Sequence, residues 1–200
     1  MQIIAACAEI AVIPAIEAFQ LHNAGAVTRA SMTFPGKITF VFRQRNAEGE
    51  TTLINALTAA AGLPVTQGLP TILHGKPMTI GAKWKRPLRH HGNVSFTPAE
   101  PLSAPAADQA LAAVRDVLTR ADAELCAVLG SDTFSPMDYR HLPEVVRVLH
   151  GAACQVVVFV WPEKSAVLLD HVKPSAVYEF VEMDDQPEYF RVEPSSFCSA

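Results

Sequence analysis

The stretch Gln155-Val156-Val157-Val158-Phe159-Val160-Trp161 constrains the fold more than any other in the chain. After Gln155 its side chains are apolar on both faces of an extended backbone. Only a strand covered from both sides tolerates that pattern, so the stretch is expected at the centre of a sheet. Lys37 to Phe42, dense in β-branched and aromatic residues, reads as a second buried strand.

Helical periodicity supplies the covering layers. Leu53, Ile54, Leu57 and Ala61 share one face of a helix over Glu50 to Ala61, closed by Gly62 and Pro64. Leu111, Val114, Leu118 and Ala121 form the stripe of a helix over Ser103 to Ala123, with Ser103 as its cap. Ser135-Pro136-Met137-Asp138 has the form of a helix start, and Pro143 bends or restarts that helix before it stops at Gly151. In the N-terminal run Gln2 to His22, the spacing of Ile3, Cys7 and Ile10 favours a helix that Pro14 interrupts.

The remaining strands read as hairpins. Thr71 to Ile80 turns at Gly75-Lys76, and Val94 to Thr97 is a further short strand. Ser165 to His171 returns from a turn at Pro162-Glu163-Lys164, and Ala176 to Met183 has the half-polar pattern of an outer or edge strand. Together these predict an α+β fold: a mostly antiparallel sheet with three to four helices packed on one side. The 200 residues suit one domain, 1–200, with a surface crossing at 97–107 where Pro98, Pro101 and Pro105 fall among small residues.

Composition bounds the setting. Half the residues are hydrophobic and 18% are charged, a globular balance. The mean hydropathy of +0.19 leaves apolar surface to spare for a protein partner or a homo-oligomer. The apolar N-terminus is expected in that interface. Met1 to Ile16 carries Glu9 and Pro14, is too short to span a membrane, and has no basic residue ahead of it as a secretory signal would. Cys7, Cys126, Cys154 and Cys198 are scattered with no Cys-x-x-Cys, so reduced thiols and a cytoplasmic location are expected.

Three constellations could carry chemistry. Gly49-Glu50-Thr51-Thr52 lies between a strand and a helix, where a phosphate-binding P-loop would place Gly-Lys-Thr-Thr. The loop's first glycine would fall on Gln44 and its lysine on Glu50, whose charge repels a phosphate. A helix N-terminus, with acid and threonines in its first turn, explains the same residues.

Lys83-Trp84-Lys85-Arg86-Pro87-Leu88-Arg89-His90-His91 reads as a solvated loop, or as an anion-binding or partner surface through Lys83, Trp84, Lys85, Arg86, Arg89 and His90. Nucleic acid is the alternative partner there, with Trp84 to stack on bases. Asp138-x-x-His141 places an acid and an imidazole on one helical face, where the acid could orient a general base; capping and a surface contact explain it equally. Adjacent His90 and His91 diverge and lack supporting ligands, so neither a metal nor a cofactor is expected. No motif has catalytic spacing. The expected function is therefore non-catalytic: docking on another macromolecule, as accessory, immunity and inhibitor proteins do. The alternatives are a hydrolase using Asp138 and His141, and a nucleic-acid binder using residues 83–91.

Overall fold

A computed structural model describes residues 10–42, 49–63, 65, 76–86, 105–134 and 137–196. The N-terminal nine residues, the turn at Gly75-Lys76, the strand Val94 to Thr97, most of the crossing at 97–107, the Ser103 cap and Ser135-Pro136 all involve positions outside the described residues.

The apolar stretch is central, as its composition requires. It forms β7 (Gln155–Val160), every residue of which is buried. On one side lies β4 (Ile38–Phe42), also wholly buried, and on the other β6 (Leu125–Leu129). β8 (Ala176–Met183) flanks β4, and these four strands, in the order β6-β7-β4-β8, all run parallel. Around them, β1 (Ile10–Pro14) pairs antiparallel with β6, while β9 (Gln186–Pro194) pairs antiparallel with β8. β3 (Val27–Thr33) lies parallel to β9, followed by the antiparallel pair β2 (Ile16–Ala24) and β5 (Thr79–Trp84).

The sheet is thus large and mixed, not mostly antiparallel. Parallel neighbours cannot be joined by a tight turn and need a crossover, and crossover helices cover both faces. The helices accordingly do not share one side. α1 (Gly49–Ala60) packs Leu53, Ile54 and Leu57 against Phe19, Val41, Val157, Phe159 and Phe180. On the opposite face α2 (Ala106–Arg120), α3 (Leu142–Gly151) and α4 (Pro162–Val172) cover Phe40, Phe42, Val156, Val158 and Val160. The alternation within β7, valines one way and Val157 with Phe159 the other, is what anchors two cores to one strand.

Several local expectations are corrected by this topology. Ser165 to His171 belongs to α4 and is no return strand, because β8 runs parallel to β4 and β7. Pro162 sits in the first turn of α4, and Lys173, at φ 49°, ends it. β8 is an inner strand: β4 covers it only from Ala176 to Glu179, and the polar half beyond pairs with β9 alone. α2 ends at Arg120, short of Ala123, and α3 starts at Leu142 with Pro143 in its first turn.

The described part of the N-terminal run is two strands, not a helix. A β-bulge between Ile16 and Ala18 shifts the register, so the buried positions fall at Ile16, Phe19 and Leu21. The spacing of Ile3, Cys7 and Ile10 that favoured a helix lies mostly outside the described residues. Gly25, at φ 50°, then turns the chain from β2 into β3. Because Ile13, Ala15, Ile16 and Phe19 are core residues, the segment from Ile13 onward is not a free docking surface.

β1 and β2 are consecutive in the chain, with Ala15 alone between them, yet stand near opposite ends of the strand order. The sheet therefore curls around α1 towards a barrel. Gln155 fastens this closure. The Ile16 N–H donates to its Oε1 at 2.8 Å and its Nε2 donates to the Ile16 carbonyl at 3.0 Å. Alongside, the Ala15 N–H donates to the Glu124 carbonyl at 2.8 Å and the Lys85 N–H to the Ala15 carbonyl at 2.9 Å.

Gln155→Leu strips both backbone groups of Ile16 of their partners inside the core. It should cost about 2 to 5 kcal/mol in urea unfolding, at the going rate for buried unpaired amides. A variant as stable as the parent would show that water reaches Ile16. Thr39 lies in β4 with its hydroxyl buried and unpartnered among the described residues. Thr39→Val should consequently raise stability by about 1 kcal/mol, read as a higher urea midpoint at unchanged slope.

Candidate functional site

In open α/β sheets, ligands are held at the carboxyl ends of the parallel strands. Here that edge lies beyond β4, β6 and β7, and α1 begins there. Gly49 opens the helix against the sheet: a Cβ at this position would sit 2.7 Å from Phe180 Cε1 and 3.1 Å from Val27 Cγ2. Tight packing on β8 and β3 therefore accounts for the glycine.

Glu50 follows in the first turn and is only 5% exposed. Its Oε1 accepts the Ser131 N–H at 2.6 Å and its Oε2 the Ser131 hydroxyl at 2.7 Å. Ser131 is wholly buried at the start of the short 3₁₀ turn Ser131–Phe134, just past the end of β6. Buried carboxylates need such partners, and the positive end of the α1 dipole favours the same charge. In sequence the carboxylate takes the place of a P-loop lysine, and it is bonded to the turn just past β6. The sequence marks Glu50 as a helix-start acid and does not single out Ser131. The one available signal was the apolar run Leu125 to Leu129 ahead of Gly130, the pattern of a strand ending at a ligand edge.

Asp138 and His141 are brought together, in the turn ahead of α3 rather than on a helical face. Asp138 Oδ1 lies 2.9 Å from His141 Nδ1 and accepts the Arg140 N–H at 2.9 Å. Arg140 Nε and Nη2 donate to Oδ2 at 2.9 and 2.6 Å. The Arg140 guanidinium holds the Asp138 carboxyl well below the usual carboxylate range. A carboxylate so engaged is a poor partner for an imidazolium. His141 Nε2 faces Asp108 Oδ1 at 3.8 Å, and the Asp138 N–H donates back to His141 Nδ1 at 3.2 Å.

The basic stretch is not a free loop throughout. Lys83 and Trp84 are the last residues of β5. Lys83 Nζ pairs with Glu17 at 2.6 Å, Arg86 pairs with Glu124, and Trp84 packs half-buried on the α1 side of the core. Lys85 is exposed, while Arg89, His90 and His91 lie outside the described residues. Cys126 and Cys154 are buried free thiols, and burial pushes both well up, away from reactivity. Among the described residues no group of three or more His, Cys, Asp or Glu could hold a metal ion, and no helix is long and apolar enough to cross a membrane.

The architecture defined by these elements is a mixed α/β domain in which β4 is followed in the chain by α1. The chain resembles in fold the SMC head domain from Thermotoga maritima, with a TM-score of 0.55. The match covers 91% of this chain and 99% of that one at 10% sequence identity, so the likeness is one of fold. No protein-family model and no curated protein matches the chain.

Gly49→Ala should destabilise the protein by about 1 to 3 kcal/mol through overpacking against Phe180, as read by thermal or urea unfolding. An unchanged midpoint would mean that the helix start can shift. On α3, Glu144 accepts from Arg147 Nε at 2.7 Å and Nη2 at 2.6 Å, and from Arg115 Nη2 at 2.7 Å. Chiefly through Arg147, its pKa falls from 4.5 to about 2. A depressed carboxyl pKa adds stability that is full above the unfolded value and is lost as pH falls through the folded one. NMR titration of the Glu144 carboxyl should therefore find its midpoint near the lower value. A midpoint at the ordinary one would show that the arginines do not hold it in solution.

Proposed function

We propose that this chain is a non-catalytic binding module that docks on another macromolecule, either a separate protein or a second copy of itself. The observation that carries the reading is the Glu50–Ser131 pair. It fills the ligand edge of the sheet with the chain's own carboxylate, at the position where phosphate recognition needs a lysine. Gly49, the glycine of that P-loop-like stretch, is in turn taken up by close packing against Phe180. The readings as a hydrolase or a nucleic-acid binder draw less support. Asp138 is occupied by Arg140, while Lys83 and Arg86 are neutralised by Glu17 and Glu124, which leaves fewer cations to release counterions from a phosphate backbone.

Calorimetric titration of the full chain with magnesium-ATP and magnesium-GTP at millimolar concentration tests the reading, alongside an assay for released phosphate. The expected outcome is no saturable heat and no turnover. Saturable binding of either nucleotide, or phosphate release above the buffer rate, would overturn it.

A further inference from the structure

We draw no further inference here: the strongest candidate, the exposed Tyr139–Arg140 turn ahead of α3 with the Asp108–His141 pair beside it, carries nothing because nothing in the structure shows what covers it.

Discussion

The side-chain amide of Gln155 is the interaction on which the rest of this architecture leans. It offers one acceptor and one donor to the backbone of Ile16, and so imitates a strand partner where no strand can run. A curled sheet must bend sharply at the seam, and there the backbone loses its regular ladder. Leaving an N–H and a carbonyl unpaired at that depth would be costly, and water has little access to a site in which Gln155 is itself only 4% exposed. The polar start of an otherwise apolar strand is thus a structural necessity.

Closure of the sheet determines what the carboxyl edge can offer. With α1 enclosed by the curl, the start of the helix is pressed against Phe180 and Val27, and Glu50 and Ser131 lie buried together past the end of β6. A carboxylate there must be compensated. Glu50 is compensated in part by Ser131 and by the end of its own helix.

Much of the scaffold was legible in the sequence, for reasons that can be named. β7 and β4 were readable because burial on both faces demands uniform apolarity, and α1 and α2 because their stripes repeat with helical spacing. The failures share a different cause, since each depended on a partner remote in the chain. The strand state of β1 and β2 depends on pairing with β6 and β5, far along the chain. The helical state of Pro162 to Val172 follows from β8 running parallel to β4, which local pattern does not encode. At the candidate site, Glu50 was legible as a helix-start acid, while Ser131, separated from it by 81 residues, was not. Asp138 and His141 were correctly expected to pair; Arg140, between them in sequence, changes what the pairing can do.

The seam at Ile16 and Gln155 also sets an order of events in making the protein. These residues are separated by 139 positions. At translation rates of roughly 5–20 residues per second, Ile16 emerges about 7 to 30 s before the side chain that satisfies it. Over that interval β2 gains β3 and then β5 as partners, while β1 waits for β6, which emerges late in it. Such long-range pairing folds slowly and leaves sheet edges open in the meantime. The nascent chain therefore passes through a stage in which the backbone of Ile16 lacks its side-chain partner, and the emergence of Gln155 ends that stage.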